Sequence, residues 1–152
     1  DACRYFAAIL VGALRGAPAG DVLDAFYEPA PGFWAARPLK HETVAALKTR
    51  DVPTEQPQRA VAADVLHAIV NARDAVAGAQ DATQAIRSAI ATGREPALDG
   101  ALAGALWGAL SGASSLPAGA VASLARVALI DEFATRLAGR QRTPESGGGV
   151  PA

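Results

Sequence analysis

Glycine recurs at every fourth residue through the longest apolar segment of the chain, and this pattern limits the folds available to it. The segment runs from Gly93 to Gly112 and reads GREPALDGALAGALWGALSG. Its inner glycines would lie on one stripe of a helix: Gly100, Gly104, Gly108 and Gly112. Because each interior glycine costs about 1 kcal/mol of helix stability relative to alanine, four on one face require close packing against neighbouring backbones. The pattern therefore predicts a central helix with other helices packed tightly against it.

A transmembrane span is the alternative for this segment, since small residues four positions apart also mark helix contacts inside membranes. Asp99 lies at one end of the segment, and the uncharged run after it is shorter than the roughly 20 apolar residues that a span needs. We therefore predict a buried helix in a protein that has no membrane partner.

Composition favours an all-α fold. The chain has 152 residues, 51% hydrophobic and only 5% aromatic, so alanine, leucine and valine supply most of the core. Such residues suit closely packed helices better than a β-sandwich, which favours β-branched and aromatic residues. The length suits one domain, which we place at residues 1–139. Residues 140–152 read RQRTPESGGGVPA without apolar periodicity, and we expect a disordered tail.

Charge and cysteine content exclude some partners. The net charge is −1 with no basic cluster, so nothing indicates a nucleic-acid interface, and no basic amphipathic face indicates a membrane surface. The single cysteine, Cys3, is interpreted as a small buried hydrophobe in a reducing compartment, the cytoplasm. The chain begins at Asp1 rather than methionine, so we expect it to be part of a longer protein.

The opening segment, residues 2–15, carries charge only at its two ends. A helix that is apolar on all sides must be buried on all sides, and Gly16 and Pro18 should end it. A second copy of the chain or a missing N-terminal half would then have to cover this helix. We therefore expect the chain alone to self-associate.

Further helices follow from apolar periodicity and capping residues. A short helix is predicted over residues 41–48, and a connector with Pro53 and Pro57 leads to a helix over residues 58–77. Asp81 and Gln84 form a capping-box pattern that opens the next helix, which Gly93 closes. Pro96 favours the first turn of the glycine-striped helix.

The helix over residues 58–77 has two different faces. The apolar stripe consists of Val61, Val65, Leu66, Ile69, Val70 and Val76. The polar side consists of Asp64, His67, Asn71 and Asp74. His67 with an aspartate three residues earlier resembles half of a metal or acid–base pair. Nearby sequence offers no third ligand, which favours a solvated histidine.

The last helix is predicted over residues 117–137. Its buried residues should be Val121, Leu124, Ala128, Ile130 and Phe133, with Glu132 and Arg136 paired on the surface. Earlier in the chain, Phe33 and Trp34 lie in a proline-rich loop. They either plug a helical core or line a ligand pocket, and the first is the more common arrangement.

The order of these segments resembles the C-terminal half of the ADP-ribosylglycohydrolases. The matching stretches are DACRYFAAILVGALRG, VLHAIVNARDAV, DATQAIRSAIATG and the run GALAGALWG at residues 100–108, which is the most specific of them. The resemblance covers about residues 2–138. It implies an all-α protein that uses magnesium to hydrolyse the glycosidic bond of ADP-ribose on a protein or small acceptor.

The resemblance also indicates where metal ligands would lie. Family members have a Thr-Asp-Asp-Thr-like run in the N-terminal half, which this chain lacks, and a Gly-Asp-x-Asp-Thr-like loop before the glycine-rich helix. Here that loop reads GREPALD from Gly93 to Asp99, so only Glu95 and Asp99 are candidate ligands. Magnesium requires near-octahedral oxygen coordination. The alternative to metal binding is that both carboxylates stabilise the N-terminus of the helix, through its dipole or as caps. We expect this chain alone to bind no magnesium.

Three functions follow from this resemblance. The first is a hydrolase of ADP-ribose linkages in which most ligands come from the missing half. The second is a non-catalytic helical domain that binds an ADP-ribose-like ligand or a protein partner, and the third is a purely structural domain. Arg94 beside a helix N-terminus would suit a phosphate, and solvent exposure is the alternative.

Overall fold

The structure is a computed structural model, and it describes residues 1–49 and 60–140, with side chains described for 1–49 and 64–139. Every regular element in these ranges is helical, which confirms the predicted all-α class. The helices are α1 (Ala2–Leu14), α2 (Ala19–Val22), α3 (Phe33–Ala36), α4 (His41–Thr49), α5 (Ala60–Ala77), α6 (Ala82–Thr92), α7 (Pro96–Ser111), α8 (Ala118–Ala122) and α9 (Val127–Arg140), with a 3₁₀ turn at Ala113–Ser115. The predicted connector with Pro53 and Pro57 lies outside the described residues. None of the described helices is long and apolar enough to cross a bilayer.

Helix α7 is the centre of the first of two compact units, which covers residues 1–117. It contacts α1, α5 and α6, as the glycine-rich segment predicted, and its Ala103 and Leu106 are fully buried. Pro96 is the first residue of α7, and Gly112 ends it with φ 83°. The central position of this helix is thus confirmed.

The glycines of α7 do not contact neighbouring backbones, so that part of the prediction is wrong. A Cβ on Gly104 would lie 3.6 Å from Ile86 Cδ1, and one on Gly108 would have no neighbour within 4 Å. Only Gly100 is tightly enclosed, with Ile90 Cγ1 3.0 Å from the Cβ position. The spacing places the glycines on one stripe, but side chains of α6 supply the contacts that exist.

Helix α1 buries one face only, which corrects the expectation that it is buried all round. Tyr5 and Ile9 are fully buried against the core, whereas Leu14 is 71% exposed. Cys3 is also exposed rather than buried. The physical reason is that α1 contacts α2, α5 and α7 on one side, and nothing in the described residues covers the other. Gly16, with φ 79°, follows its last turn as predicted.

An aromatic cluster closes one side of this unit. Trp34 is buried in α3, a short helix within the stretch predicted to be a loop, and its ring lies 6.3 Å from that of Tyr5 and 6.2 Å from that of Phe26. Its Nε1–H donates to the carbonyl of Tyr27 at 3.0 Å. This geometry supports Phe33 and Trp34 as a core plug.

The predicted N-cap of α6 at Asp81 is confirmed, whereas the reciprocal bond of Gln84 goes to the residue before the N-cap. The backbone N–H of Gln84 donates to Asp81 Oδ1 at 2.8 Å, and Gln84 Oε1 accepts from the N–H of Gln80 at 2.8 Å. The bond from Gln84 satisfies one of the donors that a helix start leaves without an intrahelical partner, and the bond from Gln80 fixes the chain just before the helix.

The second compact unit covers residues 118–152 and contains α8 and α9. The chain is not helical over residues 123–126, so the single helix predicted over residues 117–137 is wrong. Most side chains predicted to be buried there are exposed: Leu124, Ala128, Ile130 and Phe133 are exposed, and Val121 is half-buried. The predicted pair is confirmed, with Arg136 Nη1 3.4 Å from Glu132 Oε1. The single domain over residues 1–139 stays a prediction, and the expected tail over residues 140–152 lies almost wholly outside the described residues.

Candidate functional site

The turn between α6 and α7 is the part of the structure that corresponds to the predicted metal loop. It is short: Gly93 ends α6, Arg94 follows, and Glu95 precedes Pro96 at the start of α7. Gly93 has φ −76° and ψ 159°, an extended conformation open to any residue. The need for glycine at this position therefore comes from packing and not from backbone geometry.

Asp99 is fully buried beneath this turn, and both of its carboxylate oxygens accept hydrogen bonds. Oδ1 accepts from Asn71 Nδ2 at 2.7 Å, and Oδ2 accepts from the backbone N–H of Glu95 at 2.9 Å. A buried carboxylate is tolerated only when such charge-assisted bonds replace water, and its place in the first turn suits the helix dipole. These contacts assign Asp99 the capping role that the sequence left open.

Gly93 is packed directly against the same carboxylate. A Cβ built on Gly93 would overlap Asp99 Cγ and both carboxylate oxygens. Only a residue without a side chain allows Asp99 to reach under the turn and bond the N–H of Glu95. Gly93 and Asp99 therefore act as one structural unit.

Asn71, on α5, connects this unit to both α6 and α7. Its Nδ2 group donates to the carbonyl of Ala89 at 2.9 Å as well as to Asp99, and its Oδ1 accepts from the Thr92 hydroxyl at 2.6 Å. The amide therefore uses both donors and an acceptor while half-buried between α5, α6 and α7. This corrects the prediction that Asn71 belongs to an exposed polar face.

The remaining polar residues near the turn have different surroundings. Arg94 Nη1 lies 3.8 Å from Asp64 Oδ1, in a partly exposed pair that is worth at most about 1 kcal/mol. His67 is half-buried rather than solvated, and its Nδ1 is buried without a hydrogen-bond partner among the described residues. The alternative considered for His67, a metal or acid–base pair with Asp64, is not what the structure forms at Asp64, whose Oδ1 lies 3.8 Å from Arg94 Nη1.

The two candidate magnesium ligands, Glu95 and Asp99, are four residues apart, but one side chain is exposed and the other is buried. The side chain of Glu95 is exposed, whereas Asp99 is enclosed by Gly93, Asn71 and the backbone of Glu95. Within residues 1–49 and 60–140 no three His, Cys, Asp or Glu side chains converge on a possible ion position. Magnesium requires near-octahedral oxygen coordination and usually keeps several waters. The residues present do not fit such a site by themselves, and ligation by Glu95 or Asp99 stays a prediction.

Arg73 is a fully buried cation that the sequence reasoning missed. Its Nη1 donates to the carbonyls of Ala25 at 2.7 Å and Asp24 at 3.3 Å, and its Nη2 donates to the carbonyl of Leu47 at 3.4 Å. Arg73 thereby ties α5 to the segment after α2 and to α4. The available signal was its position within the apolar stripe, four residues after Ile69.

A shallow groove of about 450 Å³ lies beside the aromatic cluster. Its polar lining includes Asp21, Asp24 and Glu28, and its aromatic lining consists of Phe26 and Tyr27. Glu28 Oε1 already accepts from the backbone N–H of Trp34 at 3.0 Å. The predicted alternative, a pocket lined by Phe33 and Trp34, does not correspond to this groove.

These features define an all-helical protein built around a capped, glycine- and alanine-rich helix. The model of the ADP-ribosylglycohydrolase family matches residues 1–147. The chain therefore belongs to the ADP-ribosylglycohydrolase family. No curated protein and no solved structure matches it significantly.

Proposed function

We propose that this chain forms part of a hydrolase that, when complete, cleaves the glycosidic bond of ADP-ribose attached to a protein or small acceptor. The observation that carries the proposal is the family match over residues 1–147, nearly the whole chain. The central helix α7 and the turn before it occupy the place of the family's glycine-rich helix and of the metal-binding loop that precedes it.

The contribution of the chain to such an enzyme would be positional. The bonds from Asp99 to Asn71 and to the backbone of Glu95 fix the Gly93–Glu95 turn against α5 and α6. Glu95 and Arg94 extend from that turn as exposed side chains that a ligand could reach, with Arg94 also near Asp64. Magnesium and most of its ligands would come with sequence outside this chain, as the family resemblance implies.

A non-catalytic domain is the second candidate, and one observation favours it. The only buried carboxylate at the turn among the described residues, Asp99, accepts hydrogen bonds within the fold at both oxygens. Such a domain would bind an ADP-ribose-like ligand or a protein partner without cleaving a bond. The framework around α7 serves either function equally.

We place the protein in the cytoplasm. The sequence contains one cysteine, Cys3, and its thiol is exposed. An exposed thiol without a disulfide partner in its own chain suits a reducing compartment.

The experiment compares this chain with the polypeptide of the complete reading frame that contains it. Both are incubated with a panel of ADP-ribosylated peptides and small acceptors, with and without magnesium, and released ADP-ribose is measured by chromatography. Magnesium-dependent release by the longer polypeptide supports the hydrolase. Saturable binding of ADP-ribose without release supports the non-catalytic domain, and the absence of both overturns the two proposals.

A further inference from the structure

Helix α9 carries an exposed apolar stripe with a seven-residue repeat. Val127 and Ala134 occupy one position of the repeat, and Ile130 and Leu137 occupy the position three residues later. Ile130 is 52% exposed and Leu137 is 64% exposed. This is the arrangement of the a and d positions that form the seam between two paired helices.

Unpaired charges of opposite sign flank this stripe. Arg126 directly precedes α9 and Asp131 lies five residues later, and neither has an ion-pair partner among the described residues. Glu132 and Arg136, by contrast, pair with each other within the helix. In the repeat, Arg126 takes a g position and Asp131 the following e position. In two parallel helices a g residue lies beside the e residue five positions later on the partner.

We propose that α9 is a self-association site that pairs in parallel with α9 of a second copy of this chain. Ile130 and Leu137 form the apolar seam, and Arg126 of each copy lies beside Asp131 of the other. The two-fold relation makes this ion pair occur twice. The proposal does not depend on the enzymatic activity, and it gives the predicted self-association an interface other than α1.

Charge favours a second copy over a lipid surface as the partner. Helices that lie on membranes carry lysine and arginine along the polar face, whereas the polar side of α9 mixes Asp131 and Glu132 with Arg136. The same mixture provides the complementary charges that a copy of the helix requires.

The pairing should be weak and concentration-dependent, because α9 contains only two repeats and stable coiled coils use about three to four or more. We expect a dissociation constant of roughly 10 µM to 1 mM, because a few apolar contacts leave only a small net binding free energy once the entropy lost on association is subtracted. The dimer is therefore expected at high protein concentration.

The experiment is sedimentation velocity of the whole chain over a concentration series, with charge variants of α9. Arg126→Glu and Asp131→Arg each place like charges at both ion-pair positions, and each should weaken dimerisation roughly tenfold or more. The double variant, and an equimolar mixture of the two single variants, should restore dimerisation because opposite charges again face each other. Glu132→Ala, on the far side of the helix, is the control and should leave it unchanged. Circular dichroism verifies that the variants keep their helix content.

The outcomes separate this interface from others. Weakening by the single variants with restoration in the mixture supports parallel pairing. The proposal is overturned if the chain stays monomeric, if Arg126→Glu leaves dimerisation unchanged or tightens it, or if Val11→Glu on α1 abolishes dimerisation and the α9 variants do not affect it. Monomeric chain that co-sediments with anionic phospholipid vesicles would also overturn it.

Discussion

Replacing Gly93 by alanine should destabilise the protein strongly, although the backbone at this position suits any residue. The φ of −76° and ψ of 159° are ordinary for alanine. The new Cβ, however, would overlap the carboxylate of Asp99. Because the turn is held between α6 and α7, the carboxylate would have to move rather than the backbone. We expect this displacement to account for nearly the whole effect.

The magnitude follows from the bonds that Asp99 would lose. It accepts from Asn71 Nδ2 at 2.7 Å and from the N–H of Glu95 at 2.9 Å, and it is fully buried. Hydrogen bonds to a charged group contribute about 1.5–3 kcal/mol each. Loss or distortion of both gives an expected decrease of roughly 2–4 kcal/mol in the free energy of unfolding, since partial relaxation recovers some of the total. For a chain of this size that corresponds to a lowering of Tm by roughly 5–15 °C.

The assay is urea unfolding followed by circular dichroism, arranged as a double-mutant cycle with Asp99→Ala. In the Asp99→Ala background the clash is absent, so Gly93→Ala should cost less than about 1 kcal/mol. Gly104→Ala is the matched control. Its new Cβ would lie 3.6 Å from Ile86 Cδ1, an ordinary contact, and helix propensity should stabilise the protein by up to about 1 kcal/mol.

Additive effects of Gly93→Ala and Asp99→Ala would refute the reasoning, because they would show that the two residues do not act through one contact. A loss of stability in Gly104→Ala equal to that in Gly93→Ala would likewise contradict the geometry. It would restore the original expectation that a neighbouring backbone lies against Gly104.

Three other predictions concern different parts of the chain. Arg73→Met should lower the free energy of unfolding by about 1–3 kcal/mol in urea melts, because three backbone carbonyls lose their donor, while Arg87→Met on the surface should stay within about 0.5 kcal/mol. Calorimetry should detect no saturable magnesium site in this chain, and a stoichiometric site abolished by Glu95→Gln or Asp99→Asn would contradict this. Light scattering should detect self-association of the chain alone, because apolar side chains such as Ile130 and Leu137 are exposed, and a compact monomer at high concentration would oppose it.

Local signals in the sequence were sufficient to predict most helix boundaries of the first unit. Asp81 and Gln84 begin α6, Pro96 begins α7, and Gly16 follows the end of α1. Each of these residues acts through its own backbone or through a residue within one turn of it. Such effects can be read without knowing which helices are neighbours.

The candidate site was less predictable, because its geometry depends on contacts between distant segments. Periodicity places Asn71 on the polar side of α5, but it does not say that α6 and α7 cover that side. The spacing of Gly104 identifies a stripe and not the residue that faces it, which is Ile86. In the second unit, apolar periodicity indicated burial of Ile130, but its side chain is 52% exposed.

The enclosure of Asp99 also limits what this carboxylate could contribute to a complete enzyme. Gly93 covers its oxygens on one side, and Asn71 and the N–H of Glu95 donate to them from others. A hydrated magnesium ion needs space for about six oxygen ligands, so ligation would require the carboxylate to leave this enclosure. Leaving would forfeit bonds worth about 1.5–3 kcal/mol each and would expose donors that now have partners. An exposed carboxylate at this end of α7 could bind a metal without losing such hydrogen bonds, and Glu95 is the exposed carboxylate on the turn.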